Sequence, residues 1–467
     1  MLTYDMEKRE GIPLYQHLYH CIRKDIDTGV IKPDERLPSK RTLALHLQIS
    51  VMTVQNAYAQ LLAEGYLYTK ERRGYFVSRL EQTPDLRRSK DRKETVSEKN
   101  EAEHPSYFAD FCDNSVRPEL FPFSVWSSQM REVLSEGGGE LLRRMPQAGV
   151  YDLREAIAEY LHRFRGMSVS PEQIFIGAGT EYLYILLVQF FGRNKIYAVE
   201  DPGYKKIKQT YESVGAVCRA IPLDGEGISM SCLGSAGAEI VHISPSHHFP
   251  TGIVTPIKRR RELLRWAAGQ SGRYIIEDDY DSEFRFTGRV LPTMQSIDTC
   301  DTVIYMNTFS KTISPALRIS YMVLPPTLAQ EFRSKFGQLS CTVSSLEQYT
   351  LAKFIQKGHF ERHINRMRKA YKDRRDAILR VIFEGPLGNK VFVREEHAGL
   401  HFTMKVKTSL DDQELVRRAY ENGIKISCLS QYCDSQESKE SSVCIINYSG
   451  VRTEDAEKAM HILSKIL

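Results

Sequence analysis

Between residues 14 and 26 apolar side chains recur every four positions, at Leu14, Leu18, Ile22 and Ile26, and Gly29 follows. This spacing predicts a helix with one buried face and a stop after it. Pro38-Ser39 reads as a cap before a short helix from Lys40 to Leu47. Ser50 caps a third helix, in which Val54, Ala57, Tyr58, Leu61 and Leu62 form one apolar face before Gly65 ends it. The period then changes to two: Tyr66–Lys70 and Tyr75–Val77 alternate around Glu71-Arg72-Arg73-Gly74, the pattern of a hairpin with glycine near its tip. Three helices and a hairpin predict a winged helix-turn-helix over residues 1–80.

The pattern lapses over residues 81–106. From Glu81 to Pro105 there are six basic and seven acidic residues, and only Leu86, Val96 and Ala102 are apolar. Such a stretch buries too little to fold and reads as a flexible charged linker. From residue 107 to 467 strand-like runs alternate with amphipathic helices: KIYAVE then YKKIKQTYESVG, EIVHIS then PIKRRRELLRWAAGQ, followed by RYIIEDD and TVIYMNTFS. Alternation of this kind predicts an α/β domain with a mostly parallel sheet covered by helices on both faces.

Composition narrows the setting. A chain of 467 residues with 42% hydrophobic and 26% charged residues has a sizeable core and needs more than one domain. The nine cysteines are scattered without a CxxC pair, which argues against a disulfide framework or zinc site and for reduced thiols in a cytoplasm. The longest apolar run, Tyr182–Phe191, is half of a membrane span. A net charge of +5 is too small for a surface that coats nucleic acid everywhere, so any DNA contact must be local. Residues 1–80 carry +3 of that charge, the highest excess per residue in the chain.

Two sets of residues carry candidate chemistry. The face of the third helix opposite its apolar stripe holds Met52, Thr53, Gln55, Asn56 and Gln60. Such amides and hydroxyls meet base edges in a major groove, while Arg41 and Arg72 or Arg73 on the wing would grip the backbone. In the second domain the informative residues follow strands, where ligands of parallel sheets bind. They are Ala178-Gly179-Thr180, Tyr204, SPSHHFPTG at 244–252, Asp278 and Tyr280, and Thr308-Phe309-Ser310-Lys311 with Arg318. A lysine after an apolar strand is a Schiff-base candidate, and an arginine seven residues on is a phosphate clamp. A carboxylate such as Asp278 would keep a pyridine nitrogen protonated. GAGTEY lacks the third glycine of a dinucleotide fingerprint.

The run LPSKRTLALHLQISVMTVQNAYAQLLAEGYL resembles the GntR-type winged helix, with Val51 where that family commonly has an arginine. The resemblance implies DNA contacts from Arg41, Ser50, Thr53, Gln55, Asn56, Arg73 and Gly74. Residues 107–467, with SKTISPALR, resemble fold-type-I aminotransferases, including their smaller C-terminal subdomain. This implies pyridoxal 5′-phosphate joined to Lys311. The phosphate is then held by Arg318, Thr308, Ser310 and the Ala178-Gly179-Thr180 turn, with Tyr204 stacked on the ring and Asp278 and Tyr280 on its nitrogen and oxygen.

The whole arrangement is similar to MocR/GabR-type regulators. That resemblance implies a cytoplasmic, domain-swapped homodimer binding promoter half-sites in double-stranded DNA, with a small amino compound sensed by external aldimine formation at Lys311. An active aminotransferase with a fused DNA-binding head is the alternative, and at most a partial transamination half-reaction is expected. The two arginines that hold the effector carboxylate in the GABA-sensing member fall at Lys206 and Gln431, which points away from GABA as effector.

Overall fold

The computed structural model describes residues 2–7, 11–71, 73–79, 107–113, 116–286, 291–397, 399–434 and 441–467. The chain divides into two compact units, Met1–Ala102 and Glu103–Leu467. The expected linker at 81–106 and Arg72 of the wing lie outside the described residues.

The first unit has helices α1 (Leu14–Asp27), α2 (Lys40–Leu47) and α3 (Val51–Ala63), then strands β1 (Leu67–Lys70) and β2 (Gly74–Val77). The caps act locally as the sequence suggests: the Ser39 hydroxyl accepts from the Thr42 amide and the Ser50 hydroxyl from the Thr53 amide, each 3.1 Å. Gln48 ends α2 in the left-handed conformation (φ 55°). Leu18, Ile22, Leu43, Val54, Ala57, Tyr58 and Leu61 form one closed core. The hairpin pairs Leu67 with Val77 and Lys70 with Gly74.

In the second unit the strands are β3 (Ala109–Asp110), β4 (Ile174–Ala178), β5 (Ile196–Asp201), β6 (Val217–Asp224), β7 (Gly227–Ile228), β8 (Ile240–Ile243), β9 (Tyr274–Asp278), β10 (Val303–Thr308) and β11 (Ile319–Val323). After them come β12 (Val391–Arg394), β13 (His401–Val406), β14 (Ile424–Lys425), β15 (Ser427–Cys428) and β16 (Val443–Asn447). The main sheet has the order β4-β11-β10-β9-β8-β5-β6-β7. Strands β10, β9, β8, β5 and β6 are mutually parallel, while β11 runs against both its neighbours and β7 against β6. Strands β8 and β10 are buried along their whole length, as parallel strands covered on both faces must be.

A four-stranded antiparallel sheet, β12-β13-β16-β15, forms the smaller C-terminal part around Phe402, Ile446 and Tyr448. The helix His359–Glu384 packs into the same core through Met367, Tyr371 and Ile378. Among the described residues no helix is long and apolar enough to cross a membrane.

Candidate functional site

Because the central strands are parallel, their C-terminal ends gather on one edge of the sheet. There Glu200 near the end of β5, Ser244 after β8, Asp278 at the end of β9 and Thr308 at the end of β10 line a single cavity of about 260 Å³. The helix Thr180–Phe191 begins at the same cavity, and Lys311, Arg318, Tyr204 and Tyr280 also line it. Residues far apart in sequence converge here as strand ends rather than as one contiguous motif.

Lys311 is partly buried in the cavity wall. Burial pulls its amine down to about 8, opposed by the charges of Asp281 and Asp113 and assisted by Lys206. Asp278 is buried, and its Oδ2 accepts from the Tyr184 hydroxyl at 2.6 Å and lies 3.4 Å from His242 Nε2. Tyr211 lies 2.7 Å from the other ring nitrogen of His242, completing a chain behind the carboxylate. The second oxygen, Asp278 Oδ1, is buried without a hydrogen-bond partner among the described residues. Burial raises the Tyr280 hydroxyl well above its ordinary value, so it remains a donor, 3.4 Å from His247 Nδ1.

The end of the cavity near Arg318 is built from a strained turn. Arg318 adopts a left-handed backbone (φ 51°), and its Nη2 donates to Glu181 Oε2 at 2.6 Å. Gly179 adopts φ 93°, a backbone that L side chains rarely adopt, and a Cβ there would also meet the Arg318 guanidinium. Thr308 Oγ1 and Ser310 Oγ are 2.9 Å apart, with the Ser320 hydroxyl 2.8 Å from Thr308 Oγ1. An amine, an unpartnered carboxylate oxygen and a guanidinium beside a helix start suit a molecule with an aldehyde, a basic ring nitrogen and an anionic tail.

Some expected residues are placed otherwise. The Ala178 amide donates to Thr342 Oγ1 at 3.1 Å and the Gly179 amide to Gly177 O at 2.9 Å, so both are already engaged; Thr180 is the member of that turn that lines the cavity. Lys206 lines the cavity, but Gln431 does not. Gln431 Oε1 instead accepts from the Cys428 amide at 3.1 Å, capping the 3-10 turn Leu429–Tyr432, so the expected pair of effector contacts is not assembled. Tyr204 stands half exposed at the rim, edge-on to Phe249 with centroids 5.8 Å apart.

Sequence reasoning missed Glu200, Tyr184, His242, Asp281 and His401. Glu200 accepts from the Ser244 amide at 2.9 Å, and burial pushes its carboxyl up to about 8. His401 is held neutral by burial, and His247 Nδ1 lies 2.8 Å from Asp281 Oδ2. His247 and His248 stand in the quoted SPSHHFPTG run, and Asp281 follows Tyr280 directly; proximity to named residues was the available signal. Tyr184 and His242 sit within apolar runs and carry no such signal.

In the first unit, Met52, Gln55 and Asn56 are exposed on α3, and Arg41 and Arg73 are exposed on α2 and the wing. Ser50 and Thr53 are partly engaged with each other, their hydroxyls 2.8 Å apart. Gln55 Oε1 accepts from Lys40 Nζ at 3.4 Å. Gly74 opens β2 at φ 103°.

The two units define a DNA-reading head joined to an aminotransferase-like body. The family of bacterial regulatory proteins described as gntR matches residues 14–77, and that described as aminotransferase class I and II matches residues 111–459. The chain is 39% identical, over 98% of both chains, to an uncharacterized HTH-type transcriptional regulator, YdeL, of Bacillus subtilis. It is 31% identical to the probable rhizopine catabolism regulatory protein MocR of Rhizobium meliloti, over 96% of this chain and 92% of that one. The kynurenine aminotransferase of Pyrococcus horikoshii shares the body's fold, with a TM-score of 0.69 at 23% identity over 77% of this chain and 91% of that one. The chain therefore belongs to the MocR-type transcriptional regulators, in which a GntR-type winged helix is fused to a class I and II aminotransferase-like domain.

Proposed function

We propose that the body binds pyridoxal 5′-phosphate and that the protein senses an amino compound at Lys311, with the head carrying the response to a promoter. The observation that carries this reading is the unpartnered, buried Asp278 Oδ1 in the same cavity as the desolvated Lys311 amine. Pyridoxal 5′-phosphate, when bound, supplies an aldehyde that condenses with amines and a pyridinium ring that withdraws electrons from them.

Lys311 is the chain's own amine for that aldehyde, and a value of about 8 leaves a usable neutral fraction near neutral pH. Tyr184 and His242 occupy Asp278 Oδ2, which orients the carboxylate and leaves Oδ1 for a ring N–H. Arg318, Thr308, Ser310 and Thr180 would hold the phosphate, for which Arg318 would have to leave Glu181. The Tyr280 hydroxyl would donate to the ring oxygen and Tyr204 would cover a ring face. An amino compound would compete with Lys311, and Lys206, which lines the same cavity, is a cation available to an effector carboxylate. A free Lys311 amine would change the charge beside Asp281 and so bias the body's conformation.

In the head, Gln55, Asn56 and Thr53 read bases while Arg41, Ser50, Arg73 and the backbone at Gly74 position the phosphates. The body works as a homodimer, which the exposed apolar side chains of Phe123, Leu142 and Tyr151 support. Lys311→Ala in the full chain tests the central claim. Loss of the cofactor's visible absorbance and of effector response, with promoter affinity retained in a gel-shift titration, is expected. A Lys311→Ala protein that responds to the effector as the wild type does refutes it.

A further inference from the structure

Among the described residues four carboxyl groups line the main cavity, and three of them are accounted for. Glu181 accepts from Arg318. Glu200 is held by the Ser244 amide and keeps its proton up to about 8, so near neutrality it carries little charge. Asp278 accepts from Tyr184 through Oδ2, and its Oδ1 is the oxygen proposed for a ring nitrogen. Asp281 remains. It is 2% exposed, directly follows Tyr280, and lines the cavity together with Lys311.

Burial makes an amine give up its proton more easily, and a carboxylate nearby opposes that. For Lys311 burial is the larger effect, and the strongest charge working against it is that of Asp281, followed by Asp113 beyond β3. Lys206, exposed on the helix Lys205–Ser213, works in the same direction as burial. His401 lines the same cavity from β13 and is kept neutral by burial. Behind His247, a small void is bordered by Asp281, Arg165 and Arg285, and Arg165 is engaged by Asp279.

Asp281 is held in place from the C-terminal part of the body. Its Oδ2 lies 2.8 Å from His247 Nδ1, and the His247 ring packs on that of His401, with centroids 4.5 Å apart. Gly399, two residues before His401, closes this arrangement. At φ 72°, a Cβ on it would stand 2.0 Å from His247 Nδ1 and 2.7 Å from Asp281 Oδ2. His247 is also 2% exposed, so a side chain at 399 displaces the ring within a packed interior. The Gly399 amide donates to Phe284 O at 3.0 Å and its carbonyl accepts from the Tyr448 hydroxyl at 2.5 Å, which fixes this backbone against the ring.

We infer that Asp281 is the counter-ion of the Lys311 amine, and that His247, braced by Gly399, is the residue that positions it. The role rests on the reading of Lys311 as the amine that takes the cofactor's aldehyde. Asp281 then sets how much of that amine carries a proton, and the packing of the C-terminal part enters the chemistry of Lys311 through His247.

Competitive acetylation of the cofactor-free full chain with acetic anhydride tests this, read at the Lys311 peptide by mass spectrometry from about pH 6 to 10. Only the neutral amine reacts, so the rate reports the midpoint of its titration. The wild-type midpoint is expected near 8. Asp281→Asn, which keeps the shape and loses the charge, is expected to lower it by about one unit, a tenfold change in the ratio of protonated to neutral amine. His247→Leu is expected to lower it by about half a unit, and Gly399→Ala likewise. His247→Asn, whose amide donates from near the Nδ1 position, is expected to stay within about 0.2 of the wild type. A variant that fails to fold moves the midpoint the other way, toward the ordinary 10.5, and Asp281→Ser then carries the expectation of Asp281→Asn. A folded Asp281→Asn or His247→Leu with the wild-type midpoint overturns the proposal. The visible band on adding pyridoxal 5′-phosphate to the wild type reads the cofactor proposal separately, and its absence leaves the midpoints, and so the counter-ion, unaffected.

Discussion

Glu181 and the phosphate of the proposed cofactor compete for one guanidinium. The Arg318–Glu181 pair is half exposed, so it contributes only about 0.2–1 kcal/mol, but that much must be given up when an anion replaces the carboxylate. Glu181→Gln is therefore expected to tighten pyridoxal phosphate binding about two- to fivefold, read by absorbance titration of the cofactor-free protein. An unchanged or weakened affinity would place the phosphate away from Arg318. Lys311 was legible in the sequence because a lysine directly after an apolar strand has no role as a solubilising charge. Glu181 was not, because an acidic residue in the first turn of a helix is already explained by the helix dipole. Tyr184 was hidden in the apolar run YLYILLVQFF, where its ring belongs to the core and only its hydroxyl reaches Asp278, 94 residues away. Gln431 is the converse case: the resemblance supplied a position, and in the structure its side chain caps a local turn.

At the scale of elements, the three head helices and the hairpin were readable because each buries one face and carries its own stop and start residues. The parallel strands were readable for the same reason as far as their existence, from short apolar runs. Their order was not, since β11 is inserted between β4 and β10 by pairings that no local period records. The recognition helix offers a test at this scale. Val51 opens α3, half exposed and apolar, beside the exposed Met52. An arginine there adds a cation next to the helix N-terminus, the end that approaches phosphate. Val51→Arg is expected to raise promoter affinity and steepen its dependence on salt by about one unit of the log–log slope. Fluorescence anisotropy across a salt series reads both, and an unchanged slope would mean that α3 does not dock by this end.

For the molecule as a whole, the small net charge hides strong local fields, and stability should follow pH accordingly. Glu200 is buried with one backbone N–H for support, and its carboxyl is pushed up to about 8 against an ordinary 4.5. Between those values the folded chain keeps a proton that the unfolded chain releases, so Glu200 removes stability as pH rises toward 8. His248 and His363 act in the opposite sense: burial lowers them to about 3 and about 4 from 6.5, so their contribution grows with pH and is complete near 6.5. Glu283, raised to about 7 by burial, adds to the loss at the lower end of the remaining window. Lys311, lowered to about 8 from 10.5, restores stability only above that window. From pH 6.5 to 8 the glutamates therefore dominate, at up to about 1.4 kcal/mol per pH unit for one fully buried group. The cofactor-free protein is expected to lose a few degrees of melting temperature across this window in differential scanning fluorimetry. Glu200→Gln, which is neutral at every pH and keeps an oxygen for the Ser244 amide, should flatten the decline. A decline of undiminished slope in that variant would show that Glu200 is ionised in the folded protein and that a water or cation compensates it.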